Sequence, residues 1–358
     1  MLRVVFVVLA IMFGTCQAVA HTSSGECDIQ CLRLAYAKPT DQWLAPTIDD
    51  GVAWAELAPI GTPPMPTPLS ELGKRLFFET ALSSDGQIAC ITCHDPRHAF
   101  ADPRPVSLGV YDRQGTRNSQ SLTHLGLDSP QHAFFWDGRA KTLHEQVLMP
   151  LTDPNEMNIT LDSVPSRLAN ANYLPRFRTV FGQQMTAIDI NQVAHALTAY
   201  LHTLTPTLTR FDEFLKGDIT ALSDAELLGL HLFRTKGRCM NCHFGQAMSD
   251  GDFHNLNQTL AGRTRQDFGK YDITGDPADF GKFKTPSLRN LSTSKPWFHH
   301  GLFTNLRGVV AIYNTGMDIP PTSTAPPIAH ADHLDPLIKP LGLTADEMDA
   351  LTAFLLTL

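Results

Sequence analysis

Two pentapeptides bring thiols and an imidazole together at the same spacing: Cys90-Ile91-Thr92-Cys93-His94 and Cys239-Met240-Asn241-Cys242-His243. Two cysteines in C-x-x-C followed at once by histidine can add both thiols to the vinyl groups of a porphyrin and offer the imidazole to its iron. A redox-active C-x-x-C does not require that histidine, and a zinc site needs further paired ligands nearby. The repeat of the whole motif points to two covalently bound c-type haems, with His94 and His243 as iron ligands.

Haem iron has a second axial position, and its occupant decides between electron transfer and catalysis. A strong ligand there closes the iron, whereas an open position admits peroxide. Spacing alone does not choose among His98, His124, His132, His144, His195, His254, His299 and Met317. A further stretch runs from Phe134-Phe135-Trp136-Asp137-Gly138-Arg139 through Gln146 to Asn155-Glu156-Met157. Its Glu156 carboxylate suits general acid–base work over an open haem, taking a proton from peroxide and returning it to the leaving oxygen.

The elements that must hold these groups repeat as well. From Leu69 the pattern turns helical, with Leu72, Leu76 and Phe77 on one face. Leu72-Gly73-Lys74-Arg75-Leu76-Phe77 is echoed by Leu228-Gly229-Leu230-His231-Leu232-Phe233, again shortly before C-x-x-C-H, and Ser223 and Glu226 form a capping box for the second helix. Each half ends in an amphipathic helix. The first carries Val193, Leu197, Tyr200, Leu201 and Leu204 on one stripe; the second carries Met348, Leu351, Phe354, Leu355 and Leu358 after a Thr344/Glu347 capping box. The expectation is a mostly α protein of two haem domains, 69–205 and 206–358, joined near Thr205-Pro206-Thr207, with few strands and long Gly/Pro-punctuated loops such as Pro320 to Pro336.

Residues 21–68 are rich in proline and poor in periodicity, which reads as an extended arm lying across the surface, with Trp43, Trp54 and Leu57 docking parts of it. Before it, Arg3, the apolar run Val4 to Phe13 and Ala18-Val19-Ala20 form a secretory signal, residues 1–20, that starts the mature chain at His21 and sends it to the periplasm. Cys27 and Cys31 remain as a pair that an oxidising compartment could bridge, although a regular helix holds i and i+4 cysteines awkwardly. The 358 residues are 43% apolar, enough for buried cores, and the formal charge of -8 argues against a nucleic-acid partner.

Taken in order, several stretches resemble the bacterial dihaem cytochrome c peroxidase / MauG family from about Trp43 to the C-terminus. They are Leu76-Phe77-Phe78, the first C-x-x-C-H with Asp95-Pro96, Gly115-Thr116-Arg117-Asn118, Phe135 to Ala140, Glu145-Gln146, Asn155-Glu156-Met157, Thr285-Pro286-Ser287-Leu288-Arg289-Asn290 and Pro296-Trp297-Phe298-His299. The resemblance implies two class I cytochrome c-like domains, with the His94 haem reacting with peroxide and Glu156 and Gln146 lining its distal pocket. It further implies Trp136 as the relay between haems, and a calcium ion held by Asn118 with the backbone carbonyls of Ser294 and Pro296.

Three positions depart from the peroxidase pattern. Thr116 stands where reductively activated members carry a histidine that caps the first iron, which implies a pocket open at rest. Tyr313 stands where members with a high-potential second haem carry methionine; Met317, four residues on, is the rival ligand. Phenolate stabilises oxidised iron and thioether the reduced form. His300 replaces the family's usual Asp or Asn. The resemblance leads to an exported peroxidase that reduces hydrogen peroxide with electrons from a small cytochrome c or copper protein. The alternatives are a MauG-like enzyme that oxidises side chains of a protein substrate and a non-catalytic dihaem electron carrier; a homodimer is compatible with each.

Overall fold

The computed structural model describes residues 27–127, 132–330 and 332–358, and the expected leader, residues 1–20, lies outside them. Regular structure is almost entirely helical. The proline-rich arm is less extended than its composition implies, because it contains a helix, α1 (Ile29–Tyr36). Asp28 caps this helix by accepting from the Cys31 amide at 2.9 Å, and a Cys27–Cys31 disulfide with Cα atoms 5.4 Å apart closes the same turn. Cys27 precedes the cap, so the bridge spans a helix entry rather than a regular turn, which removes the geometric objection.

In the first half, α2 (Pro68–Phe77) crosses α3 (Ile190–Leu201). In the second, α4 (Asp224–Arg234) crosses α6 (Ala345–Leu355), with α5 (Leu306–Asn314) packed on α6. The repeated Leu-Gly pair accounts for both crossings. A Cβ on Gly73 would lie 1.8 Å from the Ala196 carbonyl oxygen, and one on Gly229 would lie 2.0 Å from that of Ala350. Only glycine lets the helix backbones approach so closely, and the flanking Leu72, Leu76 and Phe77 are then buried, at about 1.5–3 kcal/mol for each large side chain. Both expected capping boxes form. The Ser223 amide donates to Glu226 at 2.8 Å and the Thr344 amide to Glu347 at 2.7 Å.

Two hydrophobic cores result. One draws on Leu72 to Leu204; the other draws on Phe211 to Leu358 together with Leu32, Tyr36, Trp43 and Leu57 from the arm. The arm therefore packs against the second core, with Trp43 and Leu57 buried and Trp54 exposed. A two-stranded antiparallel sheet, β1 (Phe253–Asn255) and β2 (Lys282–Lys284), pairs Phe253 with Lys284. The next stretch, Thr285 to Asn290, clamps loops together. Arg289 pairs with Asp212 at 2.9 Å and donates to the Ala58 and Gln246 carbonyls, while Asn290 bonds the Thr207 backbone in both directions at the junction between halves.

Candidate active site

Each C-x-x-C-H lines its own cavity. Cys90, Cys93 and His94 face the first, and Cys239, Cys242 and His243 the second. The two histidines are oriented alike: His94 Nδ1 lies 2.9 Å from the Phe100 carbonyl oxygen, and His243 Nδ1 lies 2.9 Å from that of Met248. A carbonyl can only accept, so each Nδ1 carries the proton and each Nε2 presents its lone pair. Burial pulls both imidazoles below their ordinary range, which favours this neutral form. Four unbridged thiols beside two such imidazoles, each set in its own cavity, fit a covalent haem in both places.

Glu156 and Gln146 both line the first cavity. The Glu156 amide donates to Asp153 O at 3.1 Å, and its carbonyl accepts from the Val110 amide at 2.9 Å. Gly109 permits this contact, since a Cβ there would fall 2.1 Å from the Asn155 carbonyl oxygen. Gln146 ends a helical turn that Thr142 caps through the Glu145 amide at 3.1 Å. Burial, then the Asp153 carboxylate, push the Glu156 carboxyl up to about 7, against the pull of Arg139. A carboxyl near neutrality can both accept and return a proton at working pH. Thr116 lines this cavity too, and a threonine hydroxyl is no substitute for an imidazole iron ligand.

Trp136 is buried in the wall of both cavities. Its indole Nε1 donates to the Asn118 carbonyl at 2.9 Å, and its own carbonyl accepts from the Lys284 amide at 2.8 Å, which ties it to both halves. Arg117 spans the same boundary, pairing with Asp137 on one side and with Asp267 at 2.6 Å on the other.

Asn118, Ser294 and Pro296 all line the second cavity, and the Asn118 amide nitrogen donates to the Arg104 carbonyl at 3.0 Å.

Tyr313, on α5, lines the second cavity with the cysteine pair, and burial pushes its phenol above the ordinary range. Met317 is fully buried and, among the described residues, is not part of that lining. Of the histidines left open by spacing, His98, His132, His144 and His195 line neither cavity. His254 lines the second, but both its nitrogens are engaged, by Asp335 at 2.7 Å and Asp250 at 2.9 Å. Against burial, these carboxylates push the imidazole up to about 12, so it has no lone pair for iron. His299 and His124 line cavities with one ring nitrogen each unpartnered.

Two residues of this region escaped the sequence reading, Lys284 and Gln258. Lys284 and Gln258 lie outside the motifs, in loops and a short strand without periodicity. Arg139 was in view, in the stretch after Trp136, and its guanidinium sits 3.6 Å over the Phe135 ring while pairing with Asp137 at 2.9 Å.

The sequence model for di-haem cytochrome c peroxidases matches residues 67–220. A cytochrome-c peroxidase, IdrP2, of Denitromonas iodatirespirans is 34% identical over 314 residues, covering 80% of each chain. The methylamine utilization protein MauG of Methylophilus methylotrophus is 33% identical over 264 residues, covering 70% of this chain and 76% of its own. Among solved structures, a MauG-like protein associated with microbial copper homeostasis superposes with a TM-score of 0.73 at 29% identity, covering 87% of this chain and 95% of that one. Likeness on this scale, over a fold with a C-x-x-C-H cavity in each half, means that the chain belongs to the di-haem cytochrome c peroxidase family, oxidoreductases that act on peroxide and carry two c-type haems.

Proposed function

We propose that this protein reduces hydrogen peroxide to water at the haem held by Cys90, Cys93 and His94, with electrons arriving through the haem held by Cys239, Cys242 and His243 from a small redox protein. The observation that carries this reading is the division of labour between the cavities: Glu156, with its carboxyl pushed up to about 7, faces only the first, while Trp136 walls both. When bound, the haem iron supplies the site at which peroxide is held and reduced. Glu156 would accept a proton from one peroxide oxygen and return it to the leaving oxygen as the O–O bond breaks. Gln146, in the same cavity lining, would hydrogen-bond the leaving oxygen. Two electrons and two protons complete the reduction to two waters, and Trp136 gives the electrons a short path between cavities. Asn118, with the carbonyls of Ser294 and Pro296, would hold a calcium ion through hard oxygen ligands.

A second reading has its own support. Tyr313, rather than Met317, lines the second cavity, and an anionic phenolate ligand favours oxidised iron. Such a site suits withdrawal of electrons from side chains of a protein substrate, as in MauG. Export to the periplasm agrees with both readings and is supported by the Cys27–Cys31 bridge. Among the described residues, no helix is long and apolar enough to cross a membrane.

The test is stoichiometric. Peroxide is added to the oxidised protein with pre-reduced cytochrome c or a copper protein, and oxidised donor is counted. Two donors consumed per peroxide, over many turnovers, supports the peroxidase. Rapid spectral reaction with peroxide but no donor oxidation favours the protein-substrate reading. Two low-spin haems inert to peroxide would leave only an electron carrier.

A further inference from the structure

The turn around Trp136 sets a guanidinium in the wall of the first cavity and leaves most of its donors over. The Phe134 amide donates to the Ala140 carbonyl at 2.8 Å and closes this turn, which brings Phe135 and Arg139 together. The Arg139 guanidinium lies 3.6 Å over the Phe135 ring, and both residues line the first cavity. Phe135 has φ 64°, a left-handed conformation that is strained for so bulky a side chain. The strain sits where the ring fixes the plane of the cation above it.

Asp137, only 3% exposed, anchors the guanidinium at one corner: Arg139 Nη1 donates to its two carboxylate oxygens at 3.1 and 2.9 Å. Among the described residues, no protein group takes a hydrogen bond from Arg139 Nε or Nη2. Arg117, on the same wall, differs, since all three of its side-chain nitrogens are engaged by Asp267 and Asp137. Asp137 thus meets the charge of Arg139 but holds only one of its nitrogens. A guanidinium carries five N–H groups in a rigid fork that suits anionic oxygen.

Glu156 shows where such an oxygen arises. It lines the same cavity, and Arg139 is the cation that acts on its carboxyl, against burial and Asp153. When Glu156 takes a proton from peroxide, the negative charge stays on the substrate oxygen. Asp153, also in the lining, repels that charge, and its Oδ1 already accepts from the Asn155 amide at 2.8 Å. A donor held ready beside the place where charge develops stabilises it without rearrangement.

We propose that Arg139 is the anion-binding group of the first cavity: its Nε and Nη2 donate to the substrate oxygen that carries negative charge, while Phe135 and Asp137 position the fork. This rests on peroxide reacting at the His94 haem. It makes the first cavity selective for small anions over neutral molecules of similar size, and it divides the work on peroxide, with Glu156 moving the proton and Arg139 holding the charge left behind.

The experiment titrates the oxidised holoprotein with azide and, separately, with nitric oxide, following the absorbance of the His94 haem. Azide carries a negative charge and nitric oxide does not, so only azide feels the guanidinium. Arg139→Gln weakens azide roughly 10- to 100-fold, the loss expected for a hydrogen bond to a charged group, and leaves nitric oxide unchanged. Arg139→Lys restores part of the azide affinity, because it returns the charge without the fork. Unchanged azide affinity in Arg139→Gln overturns the proposal. An equal loss for both ligands overturns it too, since that marks a collapsed wall rather than a missing charge. If azide is unaffected and the midpoint potential of the first haem falls instead, Arg139 serves a carboxylate of the cofactor and not the substrate. A parent that binds neither ligand has a closed His94 haem, and the peroxidase reading falls along with the proposal. Should Arg139→Gln fail to fold, Arg139→Lys decides, because it keeps the ion pair with Asp137: weaker azide with unchanged nitric oxide supports the assignment, and azide affinity equal to the parent's refutes it.

Discussion

Glu156→Gln offers the sharpest test of the proposed acid–base chemistry, because the structure sets both a rate and a stability expectation. With its carboxyl pushed from 4.5 up to about 7, Glu156 is ionised in only about one molecule in a hundred at pH 5. If the carboxylate is the base, the peroxide reaction of the oxidised protein slows about tenfold per pH unit below 7 and levels off above it. Glutamine cannot take the proton, and loss of a positioned base costs about 10²–10⁴-fold. The parent-to-variant ratio is therefore largest at pH 8 and about a hundredfold smaller at pH 5. Stability moves the other way. A carboxyl whose pKa is raised by folding is destabilising once ionised, a cost that grows as pH rises from 4.5 to 7 and then stays constant. At about 1.4 kcal/mol per pH unit, this comes to roughly 3 kcal/mol. Glu156→Gln is thus more stable than the parent at pH 8 by up to that amount and equal to it near pH 4. Stopped-flow absorbance across pH and thermal unfolding at both ends of the range measure the two effects. A flat pH–rate profile in the parent, or a variant ratio constant with pH, refutes the reasoning.

Three further outcomes are expected. Alanine is ordinarily better than glycine inside a helix by about 1 kcal/mol, yet Gly73→Ala and Gly229→Ala lower the melting temperature, because the new Cβ atoms meet backbone at 1.8 and 2.0 Å; a rise measured by circular dichroism would show that the crossings are not held by close approach. Tyr313→Met raises the midpoint potential of the second haem and leaves the first unchanged, since thioether favours reduced iron; an unaltered second potential removes Tyr313 as a ligand. Asp212→Asn leaves Arg289 buried without its countercharge, both side chains being 1% exposed, and costs about 3–5 kcal/mol in denaturant unfolding; a loss under about 1 kcal/mol contradicts the buried pairing.

Local chemistry made much of this protein legible in its sequence. C-x-x-C-H needs only covalent spacing to define a haem attachment site, and the capping boxes at Ser223 and Thr344 need only one helical turn. The echoed Leu-Gly pairs and the stripes on α3 and α6 announced two similar halves, because apolar periodicity follows from burial on one helix face. What spacing could not supply was distance between remote segments. Tyr313 and Met317 are four residues apart and chemically plausible alike, yet only one lines the second cavity, since α5 ends at Asn314 and the chain turns away before Met317. The arm's proline content hid its packing on the second core, because Trp43 and Leu57 are buried by partners more than 150 residues away. Lys284 and Gln258 lie in separate stretches of sequence, and only the paired strands and the loops around them bring both to the wall of the second cavity. The sequence by itself determined which chemistry the chain carries, through motifs whose geometry is local. The tertiary structure alone decided which groups share a wall, because a buried charge or an unpartnered donor takes its meaning from neighbours that are remote in sequence.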